Sequence, residues 1–362
     1  MLIMERRPEP SRWMSYLSPV LAGLLTLLTG ALVFSLLGQP PLHALKTFLI
    51  TPIADAYGLA ELCVKAAPIL LCALGLAVAY RANVWNIGAE GQLLMGGLAG
   101  SALAVQFTDS DSAWLLPAVL LCGILAGMVW AGLAALLKTR FNTNEILTTI
   151  MLNYIAFNLL QYFVHGPLKD PHGYNFPESA VFADAARLPI LVDATRVHQG
   201  TVIALFVGAA VWLLMGRSFL GFQIRVLGRD SRAARMAGFS EKHLIWLVFL
   251  ISGGLAGLAG VAEVAGPIGQ LVPNISPGYG YAAIIVAFLG RLHPVGVLLA
   301  SLLMALLFMG GEMLQIELNL PLALTGMFQG MLLFYLLACD ALIVYRLRWH
   351  RKLPVPATVV TS

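Results

Sequence analysis

Apolar stretches about as long as a bilayer core is thick recur from Tyr16 to near Ile343, and charged residues gather in the short segments between them. A helix needs roughly 20 residues to cross the hydrocarbon, and in lipid only helices and closed barrels satisfy their own backbone. Spacing of this kind leaves no stretch for a separate soluble domain, so residues 1–362 read as one transmembrane domain of all-α, polytopic class. Only 11% of the residues are charged, against about 25% in soluble domains.

Ten windows read as spans: 16–37, 62–80, 92–107, 113–137, 145–165, 200–216, 244–262, 279–290, 294–311 and 321–343. The first is longer than a signal-peptide core and lacks a small-residue cleavage site, which makes it an uncleaved helix. The windows ending near Gly266-Pro267 and near Arg291 to Pro294 read as broken helices, tolerable only where protein or water satisfies the freed backbone groups. Cys63, Cys72, Cys122 and Cys339 lie in or beside apolar windows without close pairing, so neither a disulfide framework nor a zinc site is expected.

Basic residues predict the orientation. With the N-terminus inside, most of the 22 Lys and Arg fall on cytoplasmic segments: Arg6, Arg7, Arg12, Arg81, Lys138, Arg140, the cluster from Arg217 to Lys242, Arg291, and the run from Arg346 to Lys352. Lys46, Lys65, Lys169, Arg187 and Arg196 are left outside. The bias predicts both termini in the cytoplasm.

Two long segments separate spans. The outer one, Gly166 to Gly200, contains Pro and Asp and is expected to form a small cap or loop. The inner one, 217–243, is basic. Within it Asp230 or Ser231 can cap a two-turn helix through Arg232, Ala233, Ala234 and Arg235, and Gly238 can supply a left-handed stop. An Ala-rich side (Ala233, Ala234, Ala237) permits close approach to a groove, and Arg232 and Arg235 can meet acidic groups, so the helix reads as a docking element. A helix resting on lipid would carry more large apolar residues than Met236 and Phe239.

Two polar stretches stand out. In "RANVWNIGAEGQLLMGG" (81–97), Asn83, Asn86, Glu90 and Gln92 sit where one span ends and the next begins, with Gly88 and Gly91 permitting a tight turn. Asn86 and Glu90 either hold that turn together or line the inner mouth of a pathway. On the fifth span Asn153, Phe157 and Gln161 are spaced i, i+4, i+8, and Tyr154 and Asn158 lie on an adjoining stripe, giving a polar-aromatic face. That face either borders a solute pathway or glues helices together. Glu145 suits a helix N-terminus. Glu263, Glu312 and Glu317 fall at outer ends, as solvated groups or as contacts for a partner, and Lys65 snorkels.

Catalytic signatures are missing. The sequence has no G-x-x-x-x-G-K-[ST] phosphate loop, no H-E-x-x-H and no G-x-S-x-G, so it predicts neither an ATPase nor a metallohydrolase nor a serine hydrolase. No cofactor or metal is expected, and topology accounts for the basic charge without nucleic acid.

The stretches "NVWNIGAEGQ" (83–92), "TNEILTTIMLNYIA" (143–156), "GRDSRAARMAGFS" (228–240) and "GYGYAAIIVAFLGRLHPVGVLLASLL" (278–303) together resemble ABC transporter permeases of the branched-chain amino acid and simple-sugar importer superfamily. The match runs in order from about residue 60 to 340, and the 143–156 stretch most resembles the nucleoside-importing branch. This resemblance implies about ten helices in two inverted halves and a bacterial plasma-membrane location. It also implies a cytoplasmic ABC ATPase subunit, a second permease subunit that is a different chain, and a substrate-binding lipoprotein or periplasmic protein. The helix of Asp230, Arg232, Ala233, Ala234, Arg235 and Gly238 is similar to the family's coupling helix. A nucleoside suits the face of the fifth span, offering a base to stack and hydroxyls to bond. A ribose-like sugar is the alternative, with branched-chain amino acids a weaker third. A carrier without an ATPase would call for buried acids in mid-membrane, and the sequence places none clearly there.

Overall fold

The computed structural model describes residues 2–7, 11–173 and 175–349; Arg351 and Lys352 of the expected basic tail lie outside them. Two compact units are formed, one from residues 1–46 and 320–362, the other from 47–319.

In the first unit, α1 (Arg12–Leu36) pairs with α13 (Ala323–Val344). The absent side chain of Gly30 admits the Phe328 ring, which also meets Phe34 at 5.5 Å between centroids. Polar groups add to this packing: Thr29 Oγ1 lies 2.7 Å from the Tyr335 hydroxyl, and the Ser18 hydroxyl donates to Asp340. Such bonds tie helices together in lipid, where apolar contact alone gives little preference. The antiparallel pair β1 (Leu2–Arg6) and β2 (Tyr345–Trp349), which joins the two ends of the unit, has no counterpart among the expected elements. Glu5 and Arg346 form an ion pair across it at 3.0 Å.

α2 (Pro41–Leu49) leads into the second unit. There follow α3 (Ala56–Arg81), α4 (Ala89–Ala104), α5 (Leu115–Phe141), α6 (Glu145–His165), α7 (Gln199–Arg217), α8 (Phe219–Arg229), α9 (Ser231–Met236), α10 (Glu241–Glu263), α11 (Tyr279–Leu289) and α12 (Pro294–Leu318). Side-chain caps set many of the starts: Asp55 on α3, Asn144 on α6, Ser218 on α8, Asp230 on α9 and Ser240 on α10 each accept from a backbone N–H of the first turn. α3 begins six residues before the window expected at 62, because Asp55 caps it. α12 runs past 311 to Leu318, because Gly310 is a contact point against the Phe48 backbone rather than a stop.

Among the described residues, eight helices are long and apolar enough to cross a membrane. The other two expected spans are short: α4 has 16 residues and α11 has 11. The core of the second unit is the trio α4, α5 and α10, which glycines let approach backbone to backbone. A Cβ on Gly96 would overlap Gly257, one on Gly127 the Gly253 carbonyl, and one on Gly260 the Leu93 carbonyl.

The break expected at Gly266-Pro267 is real. α10 ends in a π-helical turn, Val264–Ile268, Gly269 turns left-handed at φ 75°, and the chain runs without helix to Gly278 before α11 begins. The 166–198 segment braces this stretch through bonds from Ser179 N–H to Leu271 O (3.0 Å), Phe182 N–H to Gly269 O (2.9 Å) and Leu188 N–H to Ala265 O (2.8 Å). α3 starts and α10 ends on the side of that segment, so these two helices, one in each half, run antiparallel as inverted halves require.

Candidate functional site

The polar stretch after α3 folds into a tight turn. Asn83 is left-handed at φ 57°, and Tyr80, Trp85 and Phe288 stack beside it with centroids 5.3 to 6.0 Å apart. Asn86 is fully buried: its amide nitrogen donates to Ser252 Oγ (2.9 Å) and Gln92 Oε1 (3.1 Å), and its oxygen accepts from Gly88 N–H (2.8 Å). Every polar group of the amide is thereby engaged in joining the turn to α4 and α10.

Glu90, in the first turn of α4, accepts from Gly280 N–H at 2.7 Å. A Cβ on Gly280 would overlap the Glu90 backbone, so the N-termini of α4 and α11 meet with a carboxylate between them, where both helix dipoles favour negative charge. The sequence did not single this acid out as buried, since its partners lie 190 residues downstream.

Asn153, also buried, ties α6 to the same junction. Its oxygen accepts from Gly91 N–H (2.9 Å), and its nitrogen donates to Ile87 O (3.0 Å) and to the Tyr281 hydroxyl (3.3 Å). Beside it opens a cavity of about 580 Å3, within the roughly 300 to 1,000 Å3 of small-molecule sites. α4 contributes Glu90 and Leu94; α6 contributes Asn153, Tyr154, Phe157 and Asn158. Asn158 turns its amide back to Tyr154 O (2.7 Å). Asn86 does not border the cavity. Neither does Gln161, which donates to Pro273 O (2.9 Å) and holds the non-helical stretch in place.

The remaining wall was not foreseen. It comes from that stretch and the start of α11: Pro273, Asn274, Ser276, Pro277, Gly278 and Tyr281. Ser276 Oγ caps α11 by accepting from Gly278 and Tyr279 N–H. The signal was present in the Pro and Gly of "VPNISPGYGY", which mark a broken helix, and broken helices in membranes line cavities.

At the end bearing α8 and α9, the 217–243 segment contains more helix than expected. α8 is amphipathic, burying Gly221, Ile224 and Leu227, and the absent side chain of Gly228 seats it on the Arg81 carbonyl at the end of α3. Arg225 donates to the Met215 carbonyl near the end of α7. α9 spans six residues rather than two full turns; Asp230 caps it through Arg232 N–H (2.8 Å), and Gly238 is left-handed at φ 79°. Phe219, Phe222 and Phe239 cluster with centroids 5.8 to 6.3 Å apart and mount α9 on α8. Ala234 turns inward and is fully buried, which removes it from the exposed face; Arg232, Ala233, Arg235 and Met236 remain there, Met236 at 89% exposure.

The opposite end carries ion pairs. Arg196 grips Glu61 of α3 with two bonds, 2.8 and 2.5 Å, and Lys65 pairs with Glu312 at 2.7 Å instead of simply snorkelling. Glu317 accepts from Thr47 (3.0 Å). These groups border a cavity of about 490 Å3. Glu145 pairs with Lys138 at 2.6 Å.

Next to Arg196, the buried His198 caps α7 by accepting from Gly200 N–H at its Nδ1. Burial, and after it the charge of Arg196, push its pKa down from 6.5 to about 4. The unfolded chain takes up this proton below pH ~6.5 while the folded protein refuses it down to about 4. Stability is therefore full above ~6.5 and falls between 6.5 and 4, by at most about 3 kcal/mol. The thermal midpoint of the detergent-solubilised protein should drop across that window, and His198→Gln should flatten the drop; an equal drop in both proteins would assign it to other groups.

A bundle of membrane-length helices around a polar-aromatic cavity, closed on one side by a broken helix, is the build of a solute permease. The chain belongs to the family described as the permease component of branched-chain amino acid transport systems, whose model matches residues 58–337. It is 36% identical to a glucose ABC transporter permease protein of Haloferax volcanii, over 94% of this chain and 92% of that protein. To a guanosine ABC transporter permease protein of Bacillus subtilis it is 32% identical, over 84% and 88%. To a nucleoside ABC transporter permease protein of Lactococcus lactis it is 27% identical, over 81% and 83%. The protein is thus a multi-pass permease subunit of an ABC importer.

Proposed function

We propose that the importer carries nucleosides and that the cavity between α4, α6 and α11 lies on their path. The observation that carries this reading is the composition of its wall: the rings of Tyr154, Phe157 and Tyr281 beside the amides of Asn153, Asn158 and Asn274. A nucleoside offers a flat base to such rings and ribose hydroxyls to such amides. The guanosine and nucleoside permeases among the relatives support it. A sugar is the second reading, favoured by the 36% identity to a glucose permease, and the same amides serve its hydroxyls.

In this scheme both termini and α9 lie in the cytoplasm. A cytoplasmic ATPase receives Arg232, Ala233, Arg235 and Met236, with Asp230 and Gly238 fixing the helix that presents them. Closure of the ATPase moves α9, the aromatic cluster passes the motion to α8, and α8 presses on the end of α3 at Arg81. The next residues form the Asn86 turn, and Glu90 and Gln161 hold the broken stretch that borders the cavity. A second permease, a different chain, completes the pathway. A substrate-binding lipoprotein or periplasmic protein docks at the end bearing Glu61, Arg196 and Glu312.

Uptake of radiolabelled adenosine, guanosine, uridine, ribose and glucose should be compared in cells with the gene, without it, and with an ATPase-dead partner. Loss of nucleoside uptake in both defective strains is the expected result. Loss confined to glucose or ribose moves the assignment to sugars. Nucleoside uptake that needs this gene but not the ATPase defeats the ATP-driven scheme in favour of a carrier acting alone.

A further inference from the structure

A second cavity has no part in the scheme above. It is a groove of about 280 Å3 bordered by Leu70 of α3, Leu205, Gly208 and Trp212 of α7, and Pro294 and Leu298 of α12. Among the described residues, no charged side chain borders it. The missing side chain at Gly208 makes the surface concave, while Leu205, Trp212 and Val295 are exposed around it. All three helices are long enough to span a membrane, so an apolar slot on them faces hydrocarbon.

One end of the slot is charged. The Arg217 guanidinium carbon lies 5.7 Å from the centre of the Trp212 ring, within cation–π range. Trp is the residue that settles at the level of lipid headgroups. Arg217 is exposed. The groove therefore leads from hydrocarbon depth to the Arg217 cation at the interface. Basic sites between membrane helices recruit anionic headgroups in this way.

We propose that this groove is a binding site for an anionic phospholipid. One acyl chain lies between α7 and α12 at Gly208, and the phosphate meets Arg217 over Trp212. A free anion has no use for an apolar slot, and a space of about 280 Å3 is too small to seat a protein helix. The proposal does not depend on which solute the importer carries.

The full chain, purified in a neutral detergent, is titrated with phosphatidylglycerol and separately with phosphatidylcholine of the same acyl chains, and the thermal midpoint is followed, since a ligand of the folded state alone raises it. Phosphatidylglycerol should act at roughly tenfold lower concentration than phosphatidylcholine. Ala209→Trp, which fills the groove from an exposed position, and Arg217→Gln should each weaken that response about tenfold while leaving the lipid-free midpoint unchanged. Equal responses to the two lipids, or an unaltered phosphatidylglycerol response in both variants, overturns the proposal. So does the same shift with inorganic phosphate. Concentration-dependent pairing of the wild-type chain that Ala209→Trp abolishes reassigns the groove to a second copy. Should Ala209→Trp fail to fold, the charge substitution alone decides.

Discussion

Replacing Arg232 and Arg235 together by Glu should leave the protein inserted and folded yet lower ATP-driven uptake at least tenfold. Both side chains are exposed, and Arg235 has only a loose ion pair, 3.9 Å to Glu241, an arrangement of little worth to the fold. The cap that builds the helix is Asp230, which the variant keeps. Reversing two charges at a protein interface costs several kcal/mol of docking, and a tenfold loss needs only ~1.4. Uptake into vesicles and stimulation of the partner ATPase should be measured side by side. Full uptake with normal stimulation would remove α9 from the interface.

Asn153→Leu should abolish uptake and lower the thermal midpoint by several degrees. Leucine has the same number of heavy atoms and branches at the same carbon, but the change strips partners from the buried Gly91 N–H, from the half-buried Ile87 O and from the Tyr281 hydroxyl. Each buried group left unpaired costs about 1 to 3 kcal/mol. Because this one amide joins the starts of α4 and α11 to α6, its loss loosens three walls of the cavity together. Tyr281→Phe separates packing from solute contact: it removes a single bond at 3.3 Å, so the midpoint should barely move while the KM for uptake rises. Wild-type KM and rate in both variants would take the cavity off the pathway.

The spans were legible because a bilayer imposes a length and a polarity that each segment meets alone. Even α11, too short to cross, was marked by the breaks at Gly266-Pro267 before it and at Arg291 to Pro294 after it. The start and stop signals of α9, Asp230 and Gly238, were equally local. α8 was overlooked, since its apolar face amounts to Gly221, Ile224 and Leu227 within a run of basic residues. The strand pairing of Leu2–Arg6 with Tyr345–Trp349 joins segments more than 330 residues apart and carries no local pattern of its own.

Residue roles divide along the same line. By itself the sequence determined which segments form the long apolar helices, where one breaks, and which loop carries the positive charge, all consequences of composition and spacing within a few tens of residues. Only the tertiary structure decided that Asn86 is spent on Gln92 and Ser252, that Glu90 sits at the start of α11, and that Lys65 has a partner in Glu312. A buried polar group survives by the partner it finds, and here many of those partners lie more than a hundred residues away, brought near by glycine-lined helix packing that no single segment encodes.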